Sequence, residues 1–230
     1  MKQGIFYGVG IGPGDPELLT IKAAKIIDRC PVLAVPKTKD GNTVALDIAS
    51  GACDLSGKEL LYLSFLMTRD EQKLHESHLA AAGEIIRKLN EGKDVAMLNL
   101  GDVSVYSTFS YVMEIISARG YSCEIIPGIT SFCAVAAALK TSLTERDKPL
   151  HIIPAGYADL GGALELPGTR VLMKAGKSFP AVQQALDEKG LLKHAAMVQN
   201  CCMENETVYP SLEDVDIGET GYFTTVIVKE

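Results

Sequence analysis

The chain has 230 residues, 47% hydrophobic and 22% charged, an ordinary composition that can fill one large or two modest cores. A formal net charge of −7 and a pI near 5.2 argue against a nucleic-acid partner, which usually leaves a basic footprint. No apolar run approaches the length of a membrane span, and Met1-Lys2-Gln3 leads directly into a strand, so neither a membrane partner nor a signal peptide is expected.

In chain order, a strand over Ile5–Val9 enters the glycine-rich turn GVGIGPGDPELLT, residues 8–20. This turn looks like a phosphate loop but fails the tests for one. It lacks the Gly-Lys-Ser/Thr ending of a Walker A loop. As a dinucleotide fingerprint it puts Pro13 where the third glycine belongs when counted from Gly8, and Asp15 there when counted from Gly10. A nicotinamide-dependent oxidoreductase is therefore set aside. Gly12-Pro13-Gly14-Asp15 reads as a tight backbone turn, with Thr20 able to cap a helix over Ile21–Asp28.

Val32–Val35 is the second strand, followed by a Pro36–Gly41 loop that should not continue it. A helix over Thr43–Ser50 and a strand over Leu60–Leu63 come next. Leu79, Ala82, Ile85, Ile86 and Leu89 mark a further helix, ended by Gly92. His75 and His78 stand at i, i+3 near its start, a spacing that could hold a metal. With no third ligand near in sequence, a solvated helix face is the preferred reading.

The central stretch holds two strand-then-loop units. Val95–Leu100 has the length of a buried strand and breaks at Gly101-Asp102. Tyr106, Phe109, Val112, Met113 and Ile116 then recur at helical spacing, with Tyr106 the first apolar position, until Gly120. Ser122–Ile126 is the next strand; Pro127-Gly128 ends it, and Thr130 or Ser131 caps an alanine-rich helix. Consecutive strand–helix–strand units imply parallel strands. The loops Gly101–Ser107 and Pro127–Ser131 are therefore expected to line one crevice at the carboxyl ends of the strands.

Beyond Leu139 the texture changes to a polar stretch, then strands at Leu150–Ile153 and Arg170–Lys174. A helix with Phe179, Val182 and Leu186 stops at Gly190, and strands at Ala195–Gln199 and Tyr222–Val228 close the chain. The expected fold is α/β in two domains, residues 1–129 and 130–230, with a crevice between them. Of the six cysteines, Cys30, Cys123 and Cys133 sit in apolar settings, and none shows a CxxC pairing or metal-ligand spacing. A reduced, cytoplasmic protein without a bound metal is the expectation.

The loop chemistry narrows the ligand. A phosphate cradle carries no carboxylate, whereas Asp102 follows its strand directly. Such a group suits ribose hydroxyls or an ammonium. The Thr130-Ser131 turn offers hydroxyls and helix-start amides, which suit a carboxylate or an adenine edge. S-adenosylmethionine has all of these groups plus a cation. The competing reading makes Asp102 and Thr130 ordinary turn and cap residues.

Four motifs in register, VGxGPGDPELLT, LGDxSVYSTF, PGITSF and YFTTVIV, resemble the tetrapyrrole methylase family over essentially the whole chain. KDGNTVALDIA after the second strand, YSTF after the aspartate and the phenylalanine of PGITSF are similar to the branch acting at carbon 20 of precorrin-2 or cobalt-factor II. The resemblance implies a parallel sheet in the first domain, a mixed one in the second, an active site in the cleft, and a homodimer that methylates that carbon from S-adenosylmethionine in cobalamin biosynthesis. Another corrinoid position, or a non-catalytic adenosyl-ligand-binding protein, is the alternative. It implies cofactor contacts at Pro13, Gly101, Asp102, Val105, Thr130, Ser131 and Met173, with Cys201 or Cys202, Thr224 and Thr225 matching less closely. Two positions depart from the pattern: Val103 replaces the usual proline, and Val35-Pro36 replaces the Tyr-Asp pair of the uroporphyrinogen-methylating branch. Tyr106 is the candidate catalytic partner for the departing proton. The polyanionic substrate needs local cations, for which Lys37, Lys39, Arg69, Lys174 and Lys177 are candidates, with Asp15 beside them at the first loop.

Overall fold

The computed structural model describes residues 3–37, 41, 43–66, 68, 70–156, 159–213 and 220–229. It divides into two compact units, Met1–Thr130 and Ser131–Glu230. Among the described residues of the first unit, β1 (Phe6–Gly10), β2 (Val32–Lys37), β3 (Glu59–Ser64), β4 (Val95–Asn99) and β5 (Cys123–Ile126) form a parallel sheet in the order β3-β2-β4-β1-β5. Helices α1 (Ile21–Arg29), α2 (Val44–Ala52), α3 (Glu71–Asn90) and α4 (Phe109–Ala118) cover it.

Why these runs are strands follows from their burial. Every residue of β1 and β4 is buried, so both read as near-continuous apolar runs. Their side chains alternate between two cores. Tyr7, Val9, Leu33, Val35, Ala96 and Leu98 pack with α1 and α2; Phe6, Val32, Ala34, Val95 and Met97 pack with α3 and α4. Each large apolar side chain buried this way contributes roughly 1.5–3 kcal/mol. From β1 the chain moves to β2 on one side, and from β4 it moves to β5 on the other. The reversal therefore falls between the neighbours β1 and β4, the switch point where open α/β sheets bind ligands.

Three sequence expectations change here. Strand β2 runs on through Pro36 to Lys37, paired with Leu63 and Ser64 of β3. Pairing with β4 covers Val32–Ala34 alone, so at Pro36 the strand is an edge on that side, where proline is tolerated. Helix α4 starts at Phe109, three residues after Tyr106, whose φ of 49° lies outside the helical range. His78 is not on a solvated face: it is 9% exposed, and its ring stacks on Tyr111 of α4 at 5.0 Å, with Phe65 at 6.1 Å. Thr20 caps α1 as expected, its Oγ1 accepting from the Ala23 N–H at 3.1 Å.

The second unit opens with α5 (Ser131–Ala138). Strands β6 (Leu150–Pro154), β7 (Thr169–Met173), β8 (Ala195–Gln199), β9 (Thr207–Tyr209) and β10 (Thr224–Val228) form a sheet in the order β6-β7-β10-β8-β9, with α6 (Leu160–Leu164) and α7 (Phe179–Glu188) among the connections. Strands β6 and β7 are parallel and the other pairs antiparallel, so the sheet is mixed. Its core gathers Leu172, Phe179, Val182, Leu186, Met197, Val226 and Val228. Cys133, expected in an apolar setting, is exposed on α5. Among the described residues, no helix is long and apolar enough to cross a membrane.

Candidate cofactor site

The loops leaving β1, β4 and β5 meet at the switch point with backbone against backbone. The Gly101 N–H donates to the Gly12 carbonyl at 2.7 Å, and the Gly12 N–H donates back at 3.3 Å. A Cβ on Gly128 would stand 2.3 Å from the Gly101 carbonyl oxygen and 2.7 Å from the Gly10 carbonyl carbon. No larger residue fits there without moving one of the other loops. Gly101 also has a φ of 72°, a conformation that glycine adopts at little cost. The glycine pattern that failed as a phosphate loop thus has another use: it lets three loops touch.

Asp102 ties two of these loops together. It is 9% exposed. One carboxylate oxygen accepts from the Gly128 N–H at 2.8 Å; the other accepts from the Ser104 N–H at 2.8 Å and from the Ser104 hydroxyl. Burial alone would push its pKa up, but these hydrogen bonds outweigh it and hold the carboxyl below its ordinary range. An ionised carboxylate has about four acceptor positions, so Asp102 keeps capacity for about one further donor.

Thr130 was expected as a possible helix cap. Instead, its Oγ1 is buried and makes no hydrogen bond to any described residue. A buried hydroxyl left this way costs about 1–3 kcal/mol unless a ligand supplies the partner. Pro13 is buried in the first loop, and the Val105 N–H donates to the Asp102 carbonyl at 3.3 Å. Tyr106 is 44% exposed, and partial burial pushes its phenol up.

Two residues of this site escaped the sequence reading. The Ser107 hydroxyl donates to Asn99 Oδ1 at 2.9 Å and accepts from the Phe109 N–H at 3.1 Å, which sets the start of α4. Asn99 is buried at the end of β4, its amide donating to the Met97 carbonyl at 2.7 Å. An asparagine closing an apolar strand was the available signal.

Among the substrate candidates, Lys37 ends β2 with its Nζ 3.9 Å from the centroid of the Tyr62 ring. Asp15 has a structural task, its carboxylate accepting from the Glu17 N–H at 2.8 Å to cap the turn Pro16–Leu18. Lys39 and Arg69 lie outside the described residues. In the second unit, Ser131 is the first residue of α5. Met173 ends β7, Thr224 and Thr225 begin β10, and Cys201 follows β8. Because β10 runs antiparallel between β7 and β8, these ends share one edge of the sheet. Thr224 and Thr225 are buried, and the Thr224 hydroxyl donates to the Gly221 carbonyl at 2.7 Å. Burial pushes the Cys201 thiol well up, with Cys202 and Glu206 adding to the effect.

Comparison with known proteins gives this geometry a context. Residues 6–216 match the sequence model of the family described as Tetrapyrrole (Corrin/Porphyrin) Methylases. A probable cobalt-precorrin-2 C(20)-methyltransferase of Methanocaldococcus jannaschii is 33% identical over 97% of this chain and 95% of its own. A precorrin-2 C(20)-methyltransferase of a Sinorhizobium species is 31% identical over 98% and 95%. The crystal structure of a Thermus thermophilus uroporphyrin-III C-methyltransferase complexed with S-adenosylhomocysteine superposes with a TM-score of 0.71. It is 22% identical and covers 98% of this chain and 92% of that one.

Proposed function

The chain belongs to the tetrapyrrole methylase family, and from that membership we propose that it transfers a methyl group from S-adenosylmethionine to carbon 20 of precorrin-2 or its cobalt-bearing counterpart, in cobalamin biosynthesis. The observation that carries this reading is extent: two relatives named for that carbon align with at least 97% of the chain. The buried Thr130 hydroxyl, without a partner among the described residues, and the close glycine contacts of three loops suit a polar ligand held close to backbone.

Pro13, Gly101, Asp102, Val105 and Thr130 of the first unit, and Ser131, Met173, Thr224, Thr225 and the backbone of Cys201 in the second, are the residues we assign to the methyl donor. Bound there, S-adenosylmethionine supplies a methyl already activated on a sulfonium. Alignment is then the protein's main task, and for well-oriented pairs it is worth up to roughly 7–11 kcal/mol. Asp102 holds the Gly128 loop in place and has room to accept one donor from the ligand. Thr130 supplies a hydroxyl that hydrogen-bonds the ligand and not the protein. Tyr106, kept protonated by partial burial, does not act as a strong base; its hydroxyl orients substrate and relays to water the proton that leaves carbon 20 once the methyl is attached. Lys37, Lys39, Arg69 and Asp15 are the residues we assign to the substrate, the three cations to its carboxylates, and a cytoplasmic homodimer is the proposed working form.

Incubation with S-adenosylmethionine and either metal-free precorrin-2 or its cobalt complex tests the reading. Expected is one added methyl, located at carbon 20 by carbon-13 labelling, from one of the two substrates. A methyl at another carbon, or none from either substrate, refutes the assignment.

A further inference from the structure

We propose that the turn Cys201–Glu206 of the second unit is a site for a soft divalent cation, with Zn2+ as the reference ion, held by Cys201 Sγ, Cys202 Sγ and a carboxylate oxygen of Glu206. The three donor atoms lie within 4.8 Å of one another. The two sulfurs are 3.8 Å apart. Two thiolates on one tetrahedral zinc, each at about 2.3 Å, stand about 3.8 Å apart, so the pair already has the edge of that tetrahedron.

Adjacent residues on an extended chain point to opposite sides, so two neighbouring thiols converge only if the backbone is bent for it. Here it is. Asn200 and Cys202, neither a glycine, have φ of 49° and 65°, left-handed conformations on both sides of Cys201. Residues held in this region cost of order 1–3 kcal/mol each and persist where the surroundings over-determine them. The surroundings do so here. The Asn200 N–H donates to the Phe223 carbonyl at 2.8 Å, and the Met203 N–H donates to the Asn200 carbonyl at 2.9 Å. The Glu206 N–H donates to the Met203 carbonyl at 3.0 Å, and the Cys202 N–H donates to Glu206 Oε2 at 2.7 Å. That last bond folds the carboxylate back over the thiols.

Donor chemistry selects the ion. Two thiolates with one carboxylate suit zinc and its softer relatives and disfavour magnesium or calcium, which take oxygen ligands. Three protein ligands leave a fourth position open. Burial falls from Cys201 (6% exposed) through the half-buried Cys202 to the exposed Glu206, so the ion reaches the site from the carboxylate side. Each thiol gives its proton to solvent as its sulfur–metal bond forms. The proposal stands on this turn alone and not on the methyl-transfer reading.

The test is calorimetric titration of the full chain with Zn2+ alone, in a phosphine reductant, after a thiol count shows the cysteines to be reduced. Cobalt(II) substitution is followed by thiolate-to-metal charge-transfer absorption. Expected are one Zn2+ per chain and a charge-transfer band. Cys202→Ser should abolish or halve the band and lower affinity by more than roughly a hundredfold, beyond the loss of an outer partner alone. Glu206→Gln should keep the band while weakening binding. Circular dichroism checks that both variants fold; Cys201, being buried, is left in place. Absence of binding by the reduced wild type, binding without the band, or unchanged affinity in Cys202→Ser each overturns the site.

Discussion

Asp102 directly follows Gly101 and Thr130 stands two residues after Gly128, the two glycines of one close contact, and substitution should separate their roles. Thr130→Val removes a buried hydroxyl that has no partner among the described residues while keeping the side-chain shape. The ligand-free protein should be unchanged or more stable by about 1 kcal/mol in urea unfolding, while affinity for S-adenosylhomocysteine falls by about 0.5–1.5 kcal/mol. Loss of stability instead would mean the hydroxyl serves the fold. Asp102→Ala should behave in the opposite way. It frees the Gly128 and Ser104 donors, so about 1.5–3 kcal/mol of stability should be lost along with cofactor affinity. A variant that unfolds at the wild-type urea midpoint would contradict the tie between the loops.

At the scale of elements, the meeting of the β1, β4 and β5 loops has no slack. Gly128→Ala would drive a methyl into the Gly101 carbonyl at 2.3 Å, a backbone obstacle that cannot swing aside. Destabilisation of about 1–3 kcal/mol or more is expected, together with loss of S-adenosylhomocysteine binding. Near-normal binding would show that the loops yield. The α3–α4 packing carries a pH response through His78. Burial, then the neighbouring His75, lowers its pKa, so the folded state favours the neutral ring and the unfolded chain takes up the proton more readily. Its contribution is therefore complete above about pH 6.5 and declines as the pH falls below that value. His78→Phe should flatten the loss of stability between about pH 7 and 5 in denaturant titrations. An unaltered profile would place the acid response elsewhere.

For the whole molecule, a net charge of −7 must coexist with a substrate rich in carboxylates. Long-range repulsion then has to be offset by local cations, and Lys37 is the described lysine at the end of β2, its ammonium over the Tyr62 ring. Lys37→Ala should raise the substrate KM several-fold, leave S-adenosylhomocysteine affinity unchanged and lessen the salt dependence of kcat/KM. The effect should be clearest at low ionic strength, since the Debye length is about 10 Å at 0.1 M. Kinetics indifferent to the substitution would make Lys37 a bystander held by its ring contact.

What the sequence by itself determined is the alternation of strands and helices and the order of the loop motifs. Strands buried on both faces must be written as continuous apolar runs, so β1, β2, β4, β8 and β10 were legible to within two residues. Short or polar elements lack that constraint: β9, with two exposed residues among its three, left no periodic trace. Helical spacing included Tyr106, but spacing counts side chains and cannot register a backbone turned to a φ of 49°. Only the tertiary structure decided who owns each polar group. Asp102 finds its partner in Gly128, 26 residues on, while the Thr130 hydroxyl finds none among the described residues. His78 leaves solvent because α4 brings Tyr111 against it, and Cys201 and Cys202 converge because two left-handed residues turn them together. Hydrogen-bond ownership and burial depend on which distant segments meet, and local pattern does not encode that meeting.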